Sequence, residues 1–234
     1  MAGSIVVLTG AGISKESGID TFRDAGGLWS QVRIEDVATP SAFVRDPARV
    51  QAFYNARRQG LLDPKIAPNA AHAALARLET EWRDKVTIVT QNIDDLHERA
   101  GSKNLLHIHG ELLKSRCFAC GDKREIREDL TTTSVCPACG NDGTLRPHVV
   151  WFNELPLFMD EAIAAVQACA IFASIGTSGS VYPAAGLVEY ARGAGARTIE
   201  LNLEPSEGAS NFGEKRYGPA TELVPAFVAE LLGR

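Results

Sequence analysis

The chain has 234 residues, 45% hydrophobic and 23% charged, the balance of a globular protein long enough to bury a core without staples. A net charge of -5 and a pI of about 5.6 argue against a general nucleic-acid binder, which needs clustered positive charge, though a local basic groove stays open. No run of about 18 apolar residues exists to span a membrane. Met1-Ala2-Gly3-Ser4 leads straight into Ile5-Val6-Val7-Leu8 without a basic n-region, so no signal peptide is expected. A cytoplasmic protein follows, with its five cysteines as thiols or metal ligands rather than disulfides.

The first apolar run, 4–8, reads as a strand, and so do 86–89, 105–108, 170–175 and 198–201. All are nearly continuous in apolar residues, as for parallel strands covered on both faces. Helical spacing recurs over 69–82, 158–169, 183–192 and 221–232, the first capped by Asn69 with Ala70, Ala74, Leu75 and Leu78 facing a core. Strand and helix in alternation predict an α/β fold, a Rossmann-like doubly wound parallel sheet. Two segments break the rhythm: the helical, proline-marked 31–68 and the stretch 113–144, rich in Cys, Gly, Thr and charge. They are expected to form a smaller lobe, a helical insert plus a zinc ribbon. The larger lobe then comprises 1–30, 69–112 and 145–234 of a single domain, 1–234.

The first strand feeds into Gly10-Ala11-Gly12-Ile13-Ser14. Glycines there let backbone N–H groups approach a phosphate at a helix N-terminus. Lys15 stands where a third fingerprint glycine is expected, so a plain tight turn remains an equal reading. The next segment, Gly18-Ile19-Asp20-Thr21-Phe22-Arg23-Asp24, has the make-up of a ligand-covering loop.

Cys117-x2-Cys120 and Cys136-x2-Cys139 are separated by 15 residues, the spacing of two knuckles around one ion. Four thiolates close a tetrahedral zinc and leave no open position, so the site is structural; a redox dithiol pair is the alternative. Within 113–144, Lys114, Arg116, Lys123, Arg124 and Arg127 are balanced by Asp122, Glu125, Glu128, Asp129 and Asp142, a poor phosphate binder. Cys169 reads as a core thiol.

Ligands of an open parallel sheet bind at the strands' carboxyl ends. Four ends here are polar: Thr90-Gln91-Asn92-Ile93-Asp94, His109-Gly110-Glu111, Gly176-Thr177-Ser178-Gly179 and Asn202-Leu203-Glu204. Any one alone could be a helix cap; together they favour a site. His109 is the natural proton acceptor. His72, His97, His107 and His148 read as structural hydrogen-bonding groups.

Taken in order with Val149-Val150-Trp151-Phe152, these motifs resemble the sirtuins, NAD-dependent protein lysine deacylases, and are similar to the bacterial CobB-type members of the third class. The resemblance implies NAD bound by Gly10, Ala11, Gly12, Ser14, Thr21, Phe22, Arg23, Trp29, Gln91, Asn92, Ile93, Asp94, Gly176, Thr177, Ser178, Asn202, Leu203, Glu204 and Ala220. It implies Asn92 and His109 as catalytic residues, the latter the general base, and Cys117, Cys120, Cys136 and Cys139 on one structural zinc. Val150, Trp151, Phe152 and Asn153 would pair with an extended substrate peptide. In the implied reaction the acyl oxygen of the modified lysine attacks the anomeric carbon, nicotinamide leaves, and free lysine and O-acyl-ADP-ribose result. The partners implied are acylated lysines of other proteins, with neither membrane nor nucleic acid; a monomer is expected.

Tyr54 and Arg57, three apart on a predicted helix, share a face. An arginine fork and a phenol can clasp a carboxylate. Spacing alone equally fits an ordinary surface helix; the resemblance implies that the pair holds succinyl or malonyl groups, alongside deacetylation. The sequence departs from the family pattern at Asp20 (commonly proline), Glu111 (commonly serine) and Asn153 (commonly glycine). Asparagine tolerates left-handed backbone best among the non-glycine residues, so the peptide-binding segment is expected to survive. Rival functions are a mono-ADP-ribosyltransferase using the same site and a non-catalytic NAD sensor or zinc-ribbon interaction module. A dehydrogenase fits less well because Lys15 breaks the fingerprint.

Overall fold

A computed structural model describes residues 3–20 and 32–233. Strand β1 (Ile5–Thr9) and a 3-10 helix (Ala11–Ser17) are followed by helices α1 (Ile34–Val37), α2 (Pro40–Arg45), α3 (Pro47–Leu61) and α4 (Ala70–Glu81). Next come β2 (Val86–Thr90), α5 (Leu96–Ala100), β3 (Leu105–His107), β4 (Gly110–Cys117), β5 (Lys123–Glu125) and β6 (Leu145–Val149). The chain closes with α6 (Met159–Gln167), β7 (Ile171–Ile175), α7 (Leu187–Gly193), β8 (Arg197–Asn202), β9 (Glu214–Tyr217) and α8 (Ala220–Leu231).

The large sheet has the order β3-β2-β1-β7-β8-β9, and every neighbouring pair is parallel. Strand order reverses between β1 and β7, which opens the crevice where ligands of doubly wound sheets bind. Alternate residues of β1 feed two cores. Ile5 and Val7 meet Leu75 and Leu78 of α4 and Val224, Phe227 and Val228 of α8. Val6 and Leu8 meet Ala162 and Val166 of α6 and Leu187 and Ala191 of α7. Two-sided burial is why these strands read as unbroken apolar runs. The edge strand β9 was not expected from the sequence. Its residues, Glu-Lys-Arg-Tyr, carry the charge that protects an exposed edge and no apolar signature.

Helix α4 starts as its sequence predicts. The Asn69 side chain accepts from the Ala71 N–H, and His72 returns a bond to the Asn69 backbone N–H.

The smaller lobe is the antiparallel sheet β5-β4-β6 with helix α3 laid against it. The β4–β6 pairing is irregular between Gly110 and Ser115. At Gly110, φ is +81° and a side chain would meet the His148 carbonyl, so only glycine fits. Arg58, a plain surface cation as far as spacing goes, is fully buried. Its guanidinium donates to the Leu112 and Glu128 carbonyls at 3.3 Å each and to Asn55 Oδ1 at 2.8 Å. Asn55 exchanges bonds with the Leu130 backbone, and Gln51 Nε2 donates to the Leu145 carbonyl at 2.8 Å. These bonds fix the rotation of α3, and with it the direction in which Tyr54 and Arg57 face.

Candidate active site

A cleft of about 730 Å³ lies between the lobes. Gly10, Ala11, Gly12, Gln91, Asn92, Ile93, His109, Gly176, Thr177, Ser178, Asn202, Leu203, Glu204 and Ala220 line it, as do Tyr54, Arg57, Val150, Trp151, Phe152 and Asn153. Ser14 and Asp94 line an adjoining cavity of about 380 Å³ that shares Asn92, Ile93 and Arg57. Thr21, Phe22, Arg23 and Trp29 lie outside the described residues.

The glycines act differently from the simple phosphate-cradle picture. The Gly10 and Gly12 N–H groups donate to the Ile175 and Gly176 carbonyls at 3.0 and 2.9 Å, so neither is left for a phosphate. A Cβ on Gly12 would sit 2.6 Å from Gly176 Cα, and one on Gly176 (φ +63°) would sit 2.4 Å from Ile13 N. The glycines exist so that the loops after β1 and β7 can touch backbone to backbone at the switch point. The loop enters a 3-10 helix, not an α-helix, which Gly18 ends in the left-handed conformation.

Ser14 is buried and its hydroxyl is a junction. It donates to Asp94 Oδ2 at 3.1 Å and accepts from Asn92 Nδ2 at 3.1 Å. His72 completes it: its Nδ1 lies 3.3 Å from the Asn69 nitrogen and 3.1 Å from Asn69 Oδ1, and its Nε2 faces Ser14 Oγ at 3.4 Å. Burial pushes the His72 pKa down to about 4, which keeps it neutral in this role. Burial pushes Asp94 up to about 6, against the opposing bonds from the Leu96 N–H and the Ser14 hydroxyl. Asn92 and Asp94 are thus held as one rigid unit.

His109 faces the cleft with Nδ1 3.1 Å from the Gln91 carbonyl. A carbonyl can only accept, so Nδ1 carries the proton. Burial lowers the pKa of the ring below the ordinary histidine value, so it is neutral at pH 7 with its lone pair on Nε2. That is the state a general base requires.

The segment after β6 is already partly bonded. The Val150 N–H donates to the His109 carbonyl, that of Phe152 to Ala38 and that of Trp151 to Glu154 Oε2. A peptide strand added here would therefore be met by carbonyl oxygens. Asn153 has φ +71°, the conformation that glycine takes at least cost. Sequence reasoning missed what locks this segment. Arg146 stacks on the Trp151 ring, 3.2 Å from its centroid, and grips both oxygens of Glu154 at 2.7 and 2.9 Å. Only the i+8 spacing of an Arg and a Glu could have signalled it, and that spacing is uninformative outside a helix.

Trp151 in turn lies 6.4 Å from the Tyr54 ring. Tyr54 is buried, and burial pushes its pKa well above the ordinary phenol value, so it stays a hydrogen-bond donor. Arg57, one turn on, keeps its charge although burial lowers its pKa; Tyr54 and Asp20 act in the opposite direction.

The four knuckle cysteines bring their sulfurs within 4.8 Å of one another. Cys117–Cys139 and Cys120–Cys136 are each 3.8 Å apart, the edge of a tetrahedron with Zn–S bonds of about 2.3 Å. The two turns match: Gly121 and Gly140 have positive φ and donate to the Cys117 and Cys136 carbonyls at 2.9 and 2.8 Å. The donor set fits a structural zinc. Cys169 is separate, buried beneath β1 and β7.

A parallel sheet with a reversed strand order, a cleft at the carboxyl ends of its strands and a closed four-thiolate site define a dinucleotide-dependent enzyme of the sirtuin type. The Sir2 family matches residues 10–183, and the chain belongs to that family. It is 60% identical over 229 residues to an NAD-dependent protein deacylase of Vibrio vulnificus, covering 98% of this chain and 94% of that one. It is 58% identical over 232 residues to the NAD-dependent protein deacylase SIR2rp3 of Trypanosoma brucei brucei, covering 98% and 95%. A solved Sir2 homolog–NAD complex superposes with a TM-score of 0.88 at 38% identity, covering 98% of this chain and 90% of the other. Among the described residues, no helix is long and apolar enough to cross a membrane.

Proposed function

We propose that the chain is an NAD-dependent protein lysine deacylase that removes succinyl, malonyl and acetyl groups. The observation that carries this is a neutral His109, its Nε2 open to a cleft it shares with Asn92 and with the Tyr54–Arg57 face. The names of the relatives at 58–60% identity over nearly the whole chain support it. When bound, NAD supplies the ADP-ribosyl group that accepts the acyl group as nicotinamide leaves.

The residues of the chain divide the work. Asn92 and Asp94, fixed through Ser14, orient the nicotinamide end. His109 Nε2 takes a proton from a ribose hydroxyl and holds it, the Gln91 carbonyl keeping the ring in the required tautomer. The loops after β7 and β8 hold the adenosine half, where Asn202 Nδ2 bonds the Thr177 carbonyl at 2.8 Å. Tyr54 and Arg57 receive the distal end of the acyl chain and clasp a carboxylate when one is present.

Mass spectrometry of reactions with NAD and acetyl- or succinyl-lysine peptides tests the proposal. Loss of the acyl group from the peptide with formation of O-acyl-ADP-ribose is expected. ADP-ribose attached to protein instead would establish a mono-ADP-ribosyltransferase.

A further inference from the structure

Two histidines two residues apart, His107 and His109, grip successive carbonyls of the loop after β2. His109 Nδ1 lies 3.1 Å from the Gln91 carbonyl and His107 Nδ1 lies 3.2 Å from the Asn92 carbonyl. Their other nitrogens differ. His109 Nε2 opens on the cleft, whereas His107 Nε2 lies 2.6 Å from Glu98 Oε1. A carbonyl and a carboxylate can only accept, so both nitrogens of His107 carry protons and the ring is an imidazolium.

We infer that His107, held as an imidazolium by Glu98, is a positioning residue that fixes Asn92 for the nicotinamide end of NAD, and that its loss of a proton limits binding on the alkaline side. The inference rests on the reading that this end of NAD meets Asn92 and Asp94.

The geometry gives the reason. A neutral His107 must surrender one bond: with the proton on Nδ1 a lone pair faces the Glu98 carboxylate, and with it on Nε2 a lone pair faces the Asn92 carbonyl. The bond to the carboxylate is the stronger of the two, so the remaining proton stays on Nε2 and the Asn92 carbonyl loses its donor; this loosens Asn92, whose side chain donates to Ser14, and through Ser14 disturbs Asp94. The charged groups around His107 favour the imidazolium. Glu98 faces it from α5, Glu111 from β4 and Asp94 from the loop; Lys114 is paired to Glu111 at 2.7 Å, and the neighbouring His97 is kept neutral by burial. The pKa of His107 is raised above the ordinary value by Glu98, against desolvation, and that of Glu98 is lowered. The loop thus sits between two opposite demands, a neutral His109 and a charged His107. Below the lowered pKa of His109 the base is lost; above the raised pKa of His107 the grip is lost.

The test is calorimetric titration of the full-length protein with NAD and, separately, with ADP, across neutral to alkaline pH. On that reading ADP, which lacks the nicotinamide riboside, does not reach Asn92. For the natural protein, NAD affinity falls on the alkaline side while ADP affinity stays flat. In Glu98→Gln the fall begins about one pH unit lower, since removing an adjacent opposite charge shifts a pKa by about that much. In His107→Gln the alkaline fall disappears, NAD binds more weakly at all pH values, and ADP is unaffected. A Glu98→Gln curve that overlays the natural one, or equal losses for NAD and ADP, overturns the inference. Turnover of acetyl- and succinyl-lysine peptides by the natural protein reports separately on the deacylase reading. No turnover, with the binding curves as described, removes that reading and leaves the positioning role standing.

Discussion

The zinc module gathers its ligands from two tight turns close in sequence, whereas the cleft gathers its groups from strand ends spread across the large parallel sheet. Cys120 and Cys136 are 16 residues apart, but Ser14 reaches Asn92 across 78 positions and Asp94 across 80. The module can therefore assemble with little more than a metal and its own turns, while the cleft exists only once the sheet is complete. Yet the two are not independent. Helix α3 carries Tyr54 and Arg57 into the cleft while Arg58 and Asn55 on the same helix bond the module's backbone. The module thus sets where Tyr54 and Arg57 face, the end proposed to take the acyl group, and the large sheet sets the strand ends proposed to hold the nucleotide.

Stripping the metal breaks this comparison most severely. Zinc binding contributes on the order of 10 kcal/mol to small metal modules, so a strong chelator should unfold the smaller lobe. Hydrogen exchange should become fast across 113–144 and spread into α3 while β1, β2 and β7 remain protected. Activity should vanish with the lobe although ADP still binds. Uniform exchange throughout the molecule would show that the two regions fold as one unit.

The opposite dissection removes chemistry and spares both regions. His109→Ala should lower turnover roughly 10²- to 10⁴-fold, the range for a lost general base, with the thermal midpoint and zinc content unchanged. In the natural protein the same group is expected to set the acid limb. Its folded pKa is depressed, so the neutral base persists into mild acid and activity is lost as pH falls through that lowered value. An acid limb that survives in His109→Ala residual activity would assign it to Asp94, whose carboxyl burial pushes up to about 6.

This contrast also marks what the sequence could reveal. The cysteine spacing carried the metal site because a knuckle is local. The parallel sheet was legible because two-sided burial writes unbroken apolar runs such as Ile5-Val6-Val7-Leu8. The edge strand β9 was not, since an edge is protected by charge rather than marked by apolar residues. Within the cleft, strand-end polarity pointed to residues that the fold brings together, but not to Ser14 as their junction or to the grip of Arg146 on Trp151 and Glu154. Such contacts join residues with no fixed spacing. Nor did the sequence mark Arg58 as buried, because burial of an arginine depends on backbone carbonyls that no sequence pattern displays.

The two ends of the cleft can be separated further at Arg57. Arg57→Met keeps the stem and removes the charge. A charge-assisted hydrogen bond is worth about 1.5–3 kcal/mol, so desuccinylation should fall roughly 10- to 150-fold in kcat/KM while deacetylation changes little. Equal loss of both activities would remove the carboxylate clasp and leave Arg57 as a wall of the cleft.

The smallest expected effect comes from Asp20, which lines the adjoining cavity with Arg57 and favours the charged guanidinium. A carboxylate there does two things to an incoming succinyl group. It shares the positive field of Arg57, and it repels the new negative charge. Asp20 is exposed, so water and salt screen both effects and each is worth under about 1 kcal/mol. Asp20→Asn should therefore lower KM for a succinyl peptide by about 2- to 5-fold and leave that for an acetyl peptide unchanged, most visibly at low ionic strength. Because Asn is nearly isosteric, a gain for both peptides would trace to loop conformation rather than charge. A null result at low salt would place Asp20 outside the acyl-binding field altogether.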